Sequence, residues 1–317
     1  MHVFLAGSTG VLGRRIIPLL TGHGHQVTAL TRRSDRAGML RSLGAHPAVA
    51  DAFEPESLAA AVKLAAPDLI MHQLTDLTSG TSASNAVLRV RGTRNLIDAA
   101  HAAGVGRVIS QSIAWAYSAG CESAAEETPL DLGAAEPRLT TIRGIAALEQ
   151  MTREAPQWVV LRCGILYGPG TWYEPCGSKA ADARAGLLPA DDNVTSFVHV
   201  DDAAAAAAQA LTWPSGPVNI CDDEPATGRA WVPAFCQAVG APTPARSSPD
   251  ARQPCARGAG NRHARTHLGW SPRFPSWRQG FRAMRSGSPA RQLPPAAGHA
   301  AGTAASASAT DKKEQAS

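Results

Sequence analysis

Aromatic side chains are scarce in this sequence, at 5% of 317 residues against 44% hydrophobic residues overall. A substantial core can form, but it must be packed mainly from aliphatic side chains and the abundant alanines. No apolar run approaches the roughly 20 residues of a membrane-spanning helix, so no membrane partner is expected. The apolar N-terminal segment has no basic region before it and no cleavage site after it, unlike a secretory signal. The six cysteines include no C-x-x-C pair and are scattered, as in a reduced cytoplasmic protein. His263 and His267 share ligand spacing but lack a third ligand, so no metal is expected. With a net charge of +4 and dispersed arginines, nucleic acid is not an expected partner either.

What is present begins at Val3 to Gly13 (VFLAGSTGVLG), an apolar run that breaks into closely spaced glycines and passes into Arg14 to Leu20. It reads as buried strand, tight turn and helix. Gly7 permits a backbone conformation closed to other residues, Gly10 keeps a side chain away from a pyrophosphate, and Gly13 allows close helix packing. Amide hydrogens at the helix start would face the phosphates, with Ser8 and Thr9 as hydroxyl donors and Val11 and Leu12 completing the turn. A dinucleotide is the expected ligand.

His25 to Leu30 reads as a second strand, with Arg32 and Arg33 at its end. No carboxylate stands there to hold a ribose 2′-hydroxyl, whereas arginine suits a 2′-phosphate, so NADP(H) is expected over NAD(H). A third strand, Pro47 to Ala50, ends at Asp51, placed to reach the adenine or to cap its own loop. The fourth strand, Asp68 to Leu74, brings Leu74 to the cofactor's path. A long helix from about Ser84 to Ala103, a fifth strand from Arg107 to Ser112, a helix from Thr140 to Arg153 and a sixth strand from Trp158 to Leu161 follow.

This alternation implies an α/β fold, a Rossmann-type doubly wound parallel sheet with ligands at the carboxyl ends of its strands. The dinucleotide-binding domain is expected over residues 1–165 and a smaller C-terminal substrate lobe over 166–285, with 195–212 packing back on the first unit. Residues 286–317 form a low-complexity tail expected to be disordered. Within the lobe, Ser196 to Val200 and Val218 to Ile220 read as strands, and Asp201-Asp202 as the cap of an alanine-rich helix.

Five phrases then occur in a telling order: Gly7 to Gly13 (GSTGVLG), Arg91 to Leu96 (RGTRNL), Val108 to Ser112, Leu166 to Gly170 (LYGPG) and Phe197 to Asp202 (FVHVDD). Together they resemble the NAD-dependent epimerase/dehydratase family, the extended branch of the short-chain dehydrogenase/reductases. The resemblance runs to about Phe281. It implies an enzyme acting on a small carbonyl or hydroxyl compound, sugar-like in many members, and a homodimer formed through the long helices. It also implies a serine after the fifth strand, a position held here by Ser112, and a Tyr-x-x-x-Lys pair on the next helix. In that pair the lysine and the cofactor lower the tyrosine's pKa.

Here the tyrosine position is Thr141 and the lysine position Ile145, so both groups are missing. Ser112 is still expected to hydrogen-bond the substrate oxygen, with Thr141 beside it. Three routes stay open: Tyr117 or Tyr167 supplies the proton, substrate or water supplies it, or the protein binds NADP(H) without turnover as a sensor or regulator. Arg89 stands near a family asparagine and reads, with Arg91 and Arg94, as a solvated cation. Arg143 and Arg162 flank the crevice, where they would meet an acidic substrate.

Overall fold

The computed structural model describes residues 1–75, 82–244 and 252–285; the expected tail, 286–317, lies outside the described residues. In chain order the first unit runs β1 (His2–Ala6), α1 (Gly13–Gly22), β2 (Gln26–Thr31), α2 (Ala37–Ser42), β3 (His46–Val49), α3 (Pro55–Ala65) and β4 (Leu69–His72). It continues through α4 (Ser82–Val87), a π-helical turn at Leu88–Gly92, α5 (Thr93–Ala102), β5 (Arg107–Ile113), α6 (Arg138–Thr152) and β6 (Gln157–Cys163). Then follow β7 (Ile165–Tyr167), α7 (Ser178–Arg184), β8 (Val194–Thr195), β9 (Phe197–His199), α8 (Val200–Gln209), β10 (Gly216–Ile220) and β11 (Ala226–Thr227). Helices α9 (Gly228–Ala238), α10 (Arg262–Thr266) and α11 (Trp277–Arg285) complete the described chain.

Seven strands pair in the order β10-β6-β5-β4-β1-β2-β3, all parallel. Alternation along β1 shows how the sheet is covered on both faces. Val3 and Leu5 pack with Ile16 of α1 and Ala203 of α8, while Phe4 and Ala6 pack with Leu58 of α3 and Leu96 of α5. Between β1 and β4 the strand order reverses, which opens the crevice where α/β sheets take their ligands. No helix among the described residues is long and apolar enough to cross a membrane.

Three details differ from the sequence reading. Val218 to Ile220, expected in the smaller lobe, belongs to β10 and pairs with β6 in the main sheet. The long helix is broken into α4 and α5 by the π turn between them. Asp201 and Asp202 do not cap α8 with their side chains; His199 does, its Nδ1 accepting from the Asp201 amide at 3.2 Å. The two carboxylates serve as tertiary ties instead. Asp201 pairs with Arg15 at 2.8 Å, and Asp202 accepts from the amides of Arg273 and Phe274 at 2.8 and 3.0 Å.

The scarce aromatics are concentrated where little area is available to bury. Tyr167, Tyr173, Phe197, Trp231, Phe235, Trp277 and Phe281 form the core of the smaller lobe, with edge-on ring contacts such as Tyr167 to Phe281 at 5.3 Å. Arg15 clamps this lobe to the glycine turn. Its guanidinium donates to the Val11 carbonyl at 3.0 Å, to the Pro169 carbonyl at 2.6 Å and to Asp201.

Asp222 follows β10 at the junction of sheet and lobe, with one oxygen accepting from the Glu224 amide at 3.3 Å and the other unpartnered. Burial pushes its carboxyl from 3.8 up to about 8, with Glu224 and Asp223 adding repulsion. The folded protein therefore holds a proton that the unfolded chain releases, so stability falls as pH rises from about 4 to about 8. Asp222→Asn carries no charge to bury. Its melting temperature should overtake that of the wild type as pH rises from about 5 to about 9; a constant difference between the two would contradict this.

Candidate active site

Gly7 sits at φ 89° directly beneath Gln73, whose carbonyl a Cβ on Gly7 would overlap; a Cβ on Gly13 would overlap the Gly7 carbonyl. Only glycine fits either place. Gly10 is exposed, and its missing side chain leaves the rim of the turn open. The turn is closed by the Gly10 amide donating to the Gly7 carbonyl at 3.1 Å, and α1 begins with the Arg14 amide donating to the Gly10 carbonyl at 3.2 Å. The amides of Val11 and Leu12 donate to no acceptor among the described residues. An open rim with free donors at a helix start suits a pyrophosphate, so the residues present fit a dinucleotide.

Around this turn the expected contacts sort themselves. Thr9 and Val11 are half-buried at the rim and Leu12 is packed into the core beneath. Ser8 is fully buried and its hydroxyl donates to the Leu30 carbonyl at 2.6 Å, so it is a strand tie rather than a phosphate donor. At the end of β2, Arg33 makes a two-point contact with Asp35 at 3.0 and 2.6 Å, whereas Arg32 is exposed and makes no ion pair among the described residues. Arg36 lies 3.9 Å from the same Asp35. Burial lowers the pKa of Arg14, and the nearby charges of Arg15 and Arg36 lower it further. Arg14 and Arg36 were missed in the sequence, though Arg14 directly follows the third glycine. Asp51 accepts from the Phe53 amide at 2.9 Å, and the Leu74 amide donates to the ring of His72 at 3.2 Å.

The β5 serine already has a partner within the protein. Ser112 is buried, and its hydroxyl donates to Glu149 Oε1 at 2.7 Å. Arg162 grips both oxygens of the same carboxylate, Nε at 2.9 Å and Nη2 at 2.6 Å, and its Nη1 donates to the Tyr117 hydroxyl at 3.1 Å and to the Glu126 carbonyl at 2.8 Å. Tyr117 donates onward to Asn219 of β10. Ser110 and Thr152 make a parallel contact one step away, at 2.8 Å. This buried chain joins β5, α6, β6 and β10 from behind. Ser112 and Tyr117 both donate into it, and Arg162 has 3% of its side chain exposed.

Burial also raises the pKa of both Tyr117 and Tyr167 well above the ordinary phenol value, making either a poor acid. Tyr167 is packed in the lobe core. Cys163 and Cys221 are likewise buried, with Cys163 pushed up to about 12. Among the described residues no group of three or more His, Cys, Asp or Glu side chains is placed to hold a metal.

Thr141 and Ile145 stand on successive turns of α6, with Ile145 buried against Ile142 and Ala116. Near the start of α6 a cavity of about 320 Å³ opens between the loop after β5 and the smaller lobe, lined by Trp115, Arg138, Ile165, Thr195, Cys255 and Gly258 among others. Its roof is tied down by arginines: Arg257 donates to the carbonyls of Ser118, Ala119 and Glu122, and Arg138 to those of Trp115 and Tyr117. Arg91 is exposed over Phe53, as expected, while Arg94 is half-buried and pairs with Asp98 and Glu154. Arg89, also expected at the surface, is likewise half-buried, beside α6.

The sheet, the glycine cradle and the second lobe define a nicotinamide-dinucleotide enzyme. The chain belongs to the NAD dependent epimerase/dehydratase family, whose family model matches residues 3–221. It is 40% identical over 306 residues to a 3-diazoavenalumate denitrifying reductase from a Streptomyces species, covering 89% of this chain and 99% of that one. Its fold is shared by the Thermus thermophilus UDP-glucose 4-epimerase solved with NAD (TM-score 0.70, 24% identity, 91% and 100% of the two chains covered). The Streptomyces venezuelae dTDP-glucose 4,6-dehydratase solved with NAD also shares it (TM-score 0.72, 20% identity, 90% and 96% covered). The protein is thus an NAD(P)-dependent enzyme of the oxidoreductase/epimerase kind, and the non-catalytic sensor alternative falls away.

If the Glu149 carboxylate is the counterion of the buried network, Glu149→Leu leaves Arg162 charged and unpaired. The expected loss is about 3–5 kcal/mol in urea unfolding. A loss under about 1 kcal/mol would mean that the network holds nothing together.

Proposed function

We propose that the protein is an NADPH-dependent reductase that removes dinitrogen from a diazo-substituted carboxylic acid. The observation that carries this reading is a 40% identical relative named as a denitrifying reductase of a diazo acid, matched over 99% of its length; it fits the reading, implied by the family resemblance, that Thr141 and Ile145 of α6 replace an acid and its activator. A ketone reduction needs a proton placed on the developing alkoxide, hence the tyrosine and lysine. Expelling dinitrogen does not. Overall, R=N2 + NADPH + H⁺ gives RH2 + NADP⁺ + N2: the C–N bond breaks, two electrons arrive as hydride, and the proton comes from solvent. The leaving group departs as a neutral gas without an acid to assist it.

The bound nicotinamide would supply the hydride, and the chain's own residues would place the partners. Gly7, Gly10 and Gly13 with the amides of Val11 and Leu12 would seat the pyrophosphate, with Thr9 at the rim, Asp51 toward the adenine and Leu74 along the cofactor. Arg32, with Arg36 and Arg14 behind it, would take the 2′-phosphate, while Arg33 stays with Asp35. The cavity beside Trp115 would take the organic substrate, with Arg138 at the start of α6 in its wall and Thr141 one turn on along the same helix; Ser112 would serve the scaffold. Six unpaired cysteines support a reducing, cytoplasmic setting.

Wild-type protein given 3-diazoavenalumate should oxidise one NADPH per dinitrogen released, and NADH should serve poorly. Arg32→Ala with Arg36→Ala should weaken NADPH by about 10- to 100-fold and leave NADH nearly unchanged. NADPH oxidation without gas release would sink the diazo reading, and equal loss of both nucleotides would sink the 2′-phosphate assignment.

A further inference from the structure

Most buried or half-buried arginines of this molecule have evident partners. Arg15, Arg94, Arg138 and Arg162 each meet a carboxylate, and Arg107 donates to the carbonyl of Ala210. Arg89 has no ion pair and no hydrogen bond among the described residues. Burial lowers its pKa from 12.5 to about 10, and no carboxylate among the described residues pairs with it. A cation withdrawn from water without an anion is costly, and such a group calls for a reason.

Its position supplies one. Arg89 lies in the π turn at Leu88–Gly92, and a π turn inside a helix is a frequent mark of a functional site. Gly144 of α6 lets the two helices meet closely: a Cβ there would lie 3.1 Å from the Ala86 Cα and 3.6 Å from Arg89 Cδ. Gly144 stands between Thr141 and Ile145, the positions of the missing tyrosine and lysine. On its other side Arg89 acts on His72, at the carboxyl end of β4, whose ring burial and this charge push down to about 4. That ring is neutral and already engaged, with Nδ1 accepting from the Leu74 amide and Nε2 facing Thr93 at 2.8 Å. So Arg89 is flanked by a neutral ring and an apolar helix face, at the crevice where β4 and β5 end. The substrate cavity reaches the first turn of α6 at Arg138, and Arg89 reaches the second at Gly144.

We propose that Arg89 binds the carboxylate of the substrate, so that the cation of the active site comes from the π turn instead of from a lysine on α6. This rests on the diazo-acid reading for the identity of the ligand, but not for the existence of the site. A guanidinium offers a flat pair of donors that matches a carboxylate in two-point contact, and half-burial strengthens it. The acid would be fixed by one end while its reactive carbon faces the nicotinamide.

The test is calorimetric titration of the NADP⁺-loaded protein with 4-hydroxycinnamate, a stable unsaturated carboxylate, and with its methyl ester. Wild type should bind the acid better than the ester. Arg89→Gln should weaken the acid about tenfold or more and leave the ester unchanged, while Arg89→Lys should keep most of the affinity. Melting temperatures of both variants should be no lower than that of the wild type, with Arg89→Gln at or above it, and NADP⁺ affinities should match the wild type. No acid binding by the wild type, equal acid binding by Arg89→Gln, or equal weakening of acid and ester would overturn the proposal. So would a loss of NADP⁺ affinity in its place, which would give the cation to the cofactor. Turnover of 3-diazoavenalumate is measured in parallel: its failure removes the diazo reading and leaves the carboxylate result standing.

Discussion

The carboxylate of Glu149 is the fixed point of this enzyme. It lies between α6 and the sheet, held at both oxygens by Arg162 and touched by Ser112. Two opposite charges so far from water are tolerable only with their hydrogen bonds complete, and here the Arg162 guanidinium also reaches Tyr117 and the Glu126 carbonyl. The result sets the height and rotation of α6 against β5 and β6. The other faces of that helix, including Gly144 where it meets Ala86 of α4, are placed by what is buried behind them.

A single arginine ties the second lobe in the same way. Arg15 contacts the glycine turn, the Pro169 turn and Asp201 at once, so the glycine turn after β1 is joined directly to the smaller lobe. Seven of the aromatic rings are gathered in the core of the smaller lobe, which has little area to bury, while the large sheet is packed mainly with alanine and aliphatic chains on both faces, with Phe4, Trp213 and Trp270 among them.

Much of the fold was legible in the sequence because its signals are local. A strand's apolar run, a glycine that must turn and a helix that follows are all read within about ten residues. The strand ends Arg32, Asp51 and Leu74 followed from the same logic. What was not legible depended on distant choices. Ser112 finds its partner 37 residues away in Glu149, a pairing that no pattern within β5 itself announces. A signal existed: Glu149 and Thr152 stand three apart on α6, so they share the face that meets Ser112 and Ser110. Arg89 gave no such signal, since its half-burial depends on a π turn that residue periodicity does not reveal.

Ser112, buried and bonded to Glu149, reads as part of the scaffold rather than as a substrate contact. Ser112→Ala tests that claim directly, read as kcat/KM for 3-diazoavenalumate together with the unfolding free energy. Activity should stay within a few-fold of wild type, with a stability loss of about 1 kcal/mol from the broken hydrogen bond. An activity loss of about 100-fold at unchanged stability would contradict it and return the serine to the substrate.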